Sequence, residues 1–434
     1  MEYCARCLYP ANAKPGIIFD DQGVCSGCRY HESRLGINWE ERQKMLKEFL
    51  ELFKAKAREA GSHYDCIIPV SGGKDSHYQV HLIKQIYGLN PLLVTYNHAF
   101  NTPLGVRNLS NLVTKLGCDL IRFTANPVSA QKISRYMLKK VGDVTWHYHA
   151  GIRTFPFQIA VKHKIPLIIW GEHGFGELTG MVTLEDMAEF TKWTRQEHDM
   201  RGYEPEDLIN EESGITWQDL APYKFPPDDE IESLGVRGIY LSNFYSWNAK
   251  TQAEFVIENF DFAPYPGKRE RSFLLYGKTD DHANDVHDYL KYLKFGYGRA
   301  TDDASMEIRH GRMTREEGIE QVKLYDHVRP RTLETYLKFL QITEQEFLDW
   351  VEPMRDLEIW KKKPNGEWLA KDSVANHVTG PEIEAARVPQ VEDRTFSEPN
   401  RHLYYSERFQ PLAHQLAEDE ARGVKWDTLN FIVL

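Results

Sequence analysis

Four short apolar runs, near 64–70, 91–97, 119–124 and 166–170, punctuate this chain. Between them lie segments near 75–88, 103–117, 127–141 and 151–164, whose apolar residues recur every three to four positions. The first pattern predicts strands buried on both faces, and the second predicts amphipathic helices. Strands separated by helices wind a parallel sheet, so the predicted fold class is α/β and doubly wound. Upstream, 39–60 reads as a charged amphipathic helix with Met45, Leu46, Phe49, Leu50 and Phe53 on one face. From Leu184 to Glu232 the chain turns acidic and Pro-punctuated, which reads as an insertion or lid over the ligand face. The expected organisation is an N-terminal ribbon over 1–38 and a nucleotide domain over 39–183. An insertion over 184–260, a mainly helical part over 261–372 and a tail over 373–434 complete it.

Ligands of such sheets sit beyond the carboxyl ends of the strands. The first strand runs directly into Ser71-Gly72-Gly73-Lys74-Asp75-Ser76, followed by the helical positions Tyr78, His81, Leu82, Gln85 and Ile86. An apolar strand, paired glycines and a helix start together make a cradle of backbone N–H groups suited to phosphate or pyrophosphate. Ser71 and Ser76 add hydroxyls and Lys74 a mobile charge. The loop is not a Walker A sequence, because Ile68 stands where its first Gly belongs and Asp75 follows the Lys. The second strand ends at Tyr96-Asn97-His98 and the fourth at Gly171-Glu172-His173-Gly174. Glu172 in that position suits magnesium or the reacting group, or is a solvated carboxylate. Gly174-x-Gly176 is no dinucleotide fingerprint, since Thr179 occupies the third Gly position. His147 and His149 are candidate metal ligands without a carboxylate at ligand spacing.

Composition sharpens this picture. The 434 residues carry a net charge of −11, which disfavours broad capture of nucleic acid. No apolar stretch is long enough to span a membrane and no signal-peptide layout is present, so a cytoplasmic location is expected. In that compartment the six cysteines are read as metal ligands or core residues rather than disulfides. Cys4-x-x-Cys7 and Cys25-x-x-Cys28 have the spacing of a structural zinc ribbon, while Cys66 and Cys118 are expected in the core. A second dense region, 289–315, gathers Lys291, Lys294, Arg299, Arg309, Arg312 and Arg315 around Gly296-Tyr297-Gly298. It is either an anion site or a solvated helix face whose cations pair with Asp302, Asp303 and Glu307.

The loop resembles the PP-loop of the ATP pyrophosphatase superfamily, whose motif is Ser-Gly-Gly-x-Asp-Ser. The resemblance implies cleavage of ATP to AMP and pyrophosphate, with the adenine near the end of the second strand. The stretches GIIFDDQGVCSGC, PVSGGKDS, LIIWGEHG and YLKFGYGRATDDAS with IRHGRMTREE extend the likeness to about residue 370. Together they resemble the N-acetyl sugar amidotransferase family, which converts an acetamido group on a nucleotide-linked sugar acid to an acetamidino group in O-antigen synthesis. That family implies catalytic roles for Lys74, Asp75 and Glu172, and nucleotide contacts at Ser71, Gly72, Gly73, Lys74, Asp75, Ser76, Tyr96, Asn97 and Gly171. It further implies substrate contacts at Lys294, Arg299 and Arg309, with ATP, Mg2+ and a structural Zn2+ on Cys4, Cys7, Cys25 and Cys28. Ammonia would come from a glutaminase and a barrel subunit resembling the pair that makes imidazole glycerol phosphate. Rival readings are a PP-loop tRNA thiolation enzyme, a ligase of the NAD-synthetase kind and a nucleotide-sensing ribbon scaffold. The tail after Asp372 matches no pattern, and its ending, 429–434, is an apolar segment expected to pack on the body or on a partner.

Overall fold

A computed structural model describes residues 1–377, so the tail with its 429–434 ending lies outside the described residues. Five strands form one sheet: β1 (Cys66–Pro69), β2 (Pro91–Asn97), β3 (Asp119–Thr124), β4 (Leu167–Trp170) and β5 (Arg237–Tyr240). Their order is β3-β2-β1-β4-β5 and every neighbouring pair is parallel. The chain winds one way from β1 through β2 to β3, then returns to β4 on the other side of β1. The junction of β1 and β4 is therefore the switch point where such sheets open a crevice.

Alternation along the strands fills both faces. Ile68, Leu93, Ile169 and Ile239 point into a core shared with α2 (Trp39–Glu59), α3 (Lys74–Val80) and α4 (Pro103–Leu116). Ile67, Leu92, Val94, Ile168 and Trp170 point the other way. There they meet Phe155, Phe157 and Ile159 of α6 (Trp146–His163), and α5 (Pro127–Val141) lies alongside. Local signals place the helix ends: Thr102 accepts from Gly105 N–H with Pro103 at the first position, and Gly117 closes α4 in the left-handed conformation. Among the described residues no helix is long and apolar enough to cross a membrane.

The predicted strands are all present, and three differences from the expected elements follow from physics the pattern does not carry. Helix α6 starts at Trp146, ahead of the predicted 151, because Trp146, His147 and Tyr148 are buried rather than looped. Helix α3 is short and widens into a π-type turn over His81–Ile86. The segment read as a lid supplies β5 and the helix Ala249–Phe260, which packs against α3. Strand β5 escaped the reading because Arg237 and Gly238 interrupt a strand of only four residues.

The C-terminal part is helical as expected. Its helices Ala283–Phe295, Thr332–Leu340 and Glu344–Val351 build a second core on Leu138 and Tyr148. The helix Arg299–Arg309 receives the N-terminal ribbon: Leu8 N–H donates to Ser305 Oγ at 3.2 Å and Tyr9 O–H to Asp302 Oδ1 at 2.9 Å. At Cys25 the chain enters α1 (Ser26–Ser33), which packs against the helix Gly174–Thr179.

Candidate active site

The 71–76 loop leaves β1 at the switch point. Gly72 takes φ +91°, and a Cβ there would lie 2.7 Å from the backbone nitrogen of Leu109, so only glycine lets the loop close on α4. Ser71 N–H donates to Ser76 Oγ at 3.0 Å, and Gly73 N–H donates to Ser71 Oγ at 3.2 Å. Both hydroxyl protons thus remain available to an acceptor such as phosphate. Lys74 Nζ lies 2.5 Å from Asp75 Oδ2 in the first turn of α3. His77 Nδ1 faces the Gly73 carbonyl at 2.9 Å, which makes Nδ1 the donor. Burial lowers the His77 pKa to about 4, so the ring stays neutral and braces the loop.

Glu172 stands on the other side of the crevice, just past β4. The preceding Gly171 is pinned by α3, since a Cβ there would meet Gln79 Nε2 at 2.1 Å. The Glu172 side chain is open to water yet closely surrounded by protein, the situation of a group on a cleft floor. That surround and then the Asp75 carboxylate lift its pKa, against the opposing charge of Lys74, to about 7. Asp75 Oδ1 is buried without a partner. Two mutually repelling carboxylates with an orphaned oxygen are a donor set that fits a hard divalent cation.

Two further ion pairs frame Glu172, and no motif or spacing signals either. Arg153 of α6 lies over the Trp170 ring at 4.7 Å and pairs with Asp199 of the insertion at 3.1 Å. Arg34 pairs with Glu177 of α7 (Gly174–Thr179), and both side chains are buried. His173 caps α7 by accepting from Gly176 N–H at 3.2 Å.

At the end of β2 the side chains look inward. Tyr96 O–H meets His147 Nδ1 at 3.1 Å and Tyr223 O–H at 2.8 Å. Asn97 donates to Thr124 Oγ1 at 3.0 Å and accepts from Asn101 Nδ2 at 2.6 Å. His147 is thus a core histidine on Tyr96. Among the described residues, only the four cysteines gather three or more metal-ligating atoms of His, Cys, Asp or Glu.

Those four cysteines converge, with all four sulfurs within 4.8 Å of one another. Cys4 and Cys28 sulfurs are 3.9 Å apart, and Cys7 and Cys25 sulfurs 3.6 Å. A tetrahedron of thiolates at the usual zinc–sulfur distance has edges of about 3.8 Å. Backbone N–H groups of Arg6, Cys25 and Cys28 point at cysteine sulfurs at 3.3–3.4 Å, as in metal-binding knuckles. The residues present fit a closed structural metal site.

Lys294, Arg299 and Arg309 do not gather at one point; each is engaged by a different part of the protein. Arg299 makes a two-pronged pair with Asp288 at 2.8 and 3.0 Å, and Lys291 pairs with Asp302. Lys294 donates to the Gly142 carbonyl at 2.9 Å at the end of α5, and burial lowers its pKa to about 8. Arg309, 1% exposed, reaches the cysteine cluster instead. Lys291 with Asp302 and Arg312 with Glu307 match the pairing that the charge pattern allowed, but the face is not solvated, and Lys294, Arg299 and Arg309 find their main partners elsewhere.

Residues 256–373 match the family described as LPS biosynthesis protein WbpG-like, C-terminal domain. The match contains the helix Arg299–Arg309 and Arg312 just beyond it, and it agrees with the family resemblance of the sequence. A curated relative, an uncharacterized protein of Methanocaldococcus jannaschii, is 28% identical over 118 residues, 27% of this chain. The chain spans 41% of that relative's length. Among solved structures, the NH3-dependent NAD synthetase of Campylobacter jejuni is similar over 46% of this chain and 92% of its own, at 14% identity and TM-score 0.26. An NMN synthetase from Francisella tularensis is similar over 46% of this chain and 93% of its own, at 13% identity and TM-score 0.24. The U34-tRNA thiolase NcsA from Methanococcus maripaludis is similar over 49% and 74%, at 14% identity and TM-score 0.18.

Proposed function

We propose that this chain is an ATP-dependent amidotransferase acting on an acetamido group of a nucleotide-linked sugar acid in bacterial surface polysaccharide synthesis. The observation that carries this reading is the 71–76 loop beside Glu172, in a chain whose residues 256–373 match a lipopolysaccharide-biosynthesis family.

The acetamido oxygen attacks the α-phosphorus of ATP, the bond to the bridging oxygen breaks, and pyrophosphate leaves with its charge. Lys74, the two serine hydroxyls and the loop N–H groups meet that charge as it develops. Asp75 and Glu172 would hold magnesium, which supplies charge neutralisation to the phosphates. The resulting O-adenylyl imidate has AMP as a good leaving group. Ammonia adds to the imidate carbon, the carbon–oxygen bond breaks, AMP departs and the nitrogen sheds a proton.

Ammonia is proposed to arrive from a separate glutaminase through a barrel subunit. Four of the six cysteines form the metal cluster, Cys66 is buried within β1, and Cys118 lies half-buried just before β3. None is left as an amide-hydrolysing nucleophile, and no pair beside the loop suits sulfur transfer to tRNA. The decisive product test uses substrate carrying heavy oxygen in its acetamido group. Label recovered in AMP supports the reading. Label retained in the sugar contradicts it.

A further inference from the structure

We propose that Arg309 is a positioning residue through which the four-cysteine centre sets the geometry of the loop carrying Glu172. Its guanidinium is fully enclosed and faces two ways at once. One nitrogen, Nη1, donates to the carbonyls of Glu177 and Leu178 at 2.8 and 2.9 Å. The other, Nη2, points at the sulfurs of Cys25 and Cys7 at 3.6 and 3.8 Å. The same cation lies over the Tyr9 ring at 5.1 Å.

Four thiolates around one divalent ion leave a net charge of about −2, which is costly in a dry interior unless a cation stands beside it. Arg309 supplies that cation, and its planar fork turns the same charge into two bonds to the last turn of α7. Helix α7 is six residues long and is capped by His173, the neighbour of Glu172. A shift of its last turn is therefore transmitted directly to the crevice. The fit leaves little slack. A Cβ on Gly27 would lie 2.4 Å from Arg309 Nη2 and 2.7 Å from the Leu178 carbonyl oxygen. A Cβ on Gly180 would lie 2.2 Å from the Ser26 carbonyl oxygen, and Ser26 Oγ donates to the Thr179 carbonyl at 2.5 Å. The metal centre, α1 and α7 thus move as one piece. Arg309 lies in the segment that matches the WbpG-like domain, so that segment supplies the cation beside the cysteine cluster. The consequence for catalysis rests on the reading of the Glu172 loop as part of the ATP site.

The test uses the full zinc-loaded chain, Arg309→Met, which keeps a long apolar stem, and Arg309→Lys, which keeps the charge without the fork. Three quantities are read: zinc release to a chromogenic chelator, amide hydrogen exchange over residues 171–180, and the dissociation constant for Mg·ATP. Arg309→Met is expected to release zinc roughly tenfold faster, the lower end of what outer-sphere partners of a metal contribute. Exchange over 174–180 should rise while the sheet strands stay protected, and Mg·ATP binding should weaken several-fold. Arg309→Lys should restore zinc retention in part but leave the exchange raised. Unchanged zinc release, or unchanged exchange over 174–180, overturns the proposal. Should Arg309→Met not fold, zinc is withdrawn from the wild-type chain. Exchange must then rise over 174–180 ahead of the strands, and a uniform rise or none overturns the coupling. A wild-type chain that binds no Mg·ATP refutes the ATP reading instead, and zinc release and exchange still decide the role of Arg309.

Discussion

Asp75, in the first turn of α3, and Glu172, just past β4, are electrostatically coupled: the charge of Asp75 adds to burial in raising the Glu172 pKa to about 7. A carboxyl raised in the folded state favours folding while it is protonated. Its contribution is complete below the ordinary carboxylate range and is lost as pH rises through about 7. Thermal melts of the ligand-free chain and of Glu172→Gln should therefore diverge in favour of the variant as pH rises, levelling above about 7. Parallel melting curves would remove the interaction.

Lys74→Ala tests where the leaving charge falls. Lys74 is 8% exposed and, among the described residues, its amine reaches only the neighbouring Asp75 as a hydrogen-bond acceptor. Loss of a donor aimed at developing charge costs about 100-fold or more in kcat. Steady-state AMP formation should fall by that factor, with the melting temperature little changed.

Gly72→Ala tests the cradle itself. The substitution combines φ +91° with a Cβ 2.7 Å from the Leu109 backbone nitrogen. Strain of this kind costs about 1–3 kcal/mol. Urea unfolding should show that loss, and calorimetry should show weakened ATP binding, because the loop must retreat from α4.

Arg299→Ala separates a structural cation from a substrate-binding one. Arg299 and Asp288 are 16% and 2% exposed at their side chains, and the pair holds the Asp288 carboxyl well below its usual range against burial. Breaking such a pair costs about 3–5 kcal/mol by leaving one buried charge alone. The melting temperature should drop sharply, while the folded fraction keeps its KM for the sugar.

What the sequence made legible was local. The Ser71–Gly72–Gly73–Lys74 run and the two Cys-x-x-Cys pairs declare their chemistry within a few residues, and β1 to β4 announce themselves as apolar runs. Strand β5 does not, since Arg237 and Gly238 leave too little apolar pattern at the sheet edge. The basic region between Lys291 and Arg315 fails for a different reason. Whether a cation faces a ligand or a neighbour depends on what folding brings beside it. Arg299 finds Asp288 only 11 positions away, but Arg309 finds Cys25 284 positions away, a distance no spacing rule spans. Arg34 with Glu177, 143 positions apart, was hidden by the same cause.

The proposed reaction has this crevice activating an acetamido oxygen with ATP. It is tested most directly by measuring AMP release from ATP with a nucleotide-linked diacetamido uronic acid and ammonium chloride, without a glutaminase. The account predicts AMP only when both sugar and ammonia are present, in step with acetamidino product. Release of ADP, or AMP formation indifferent to the sugar, would contradict it.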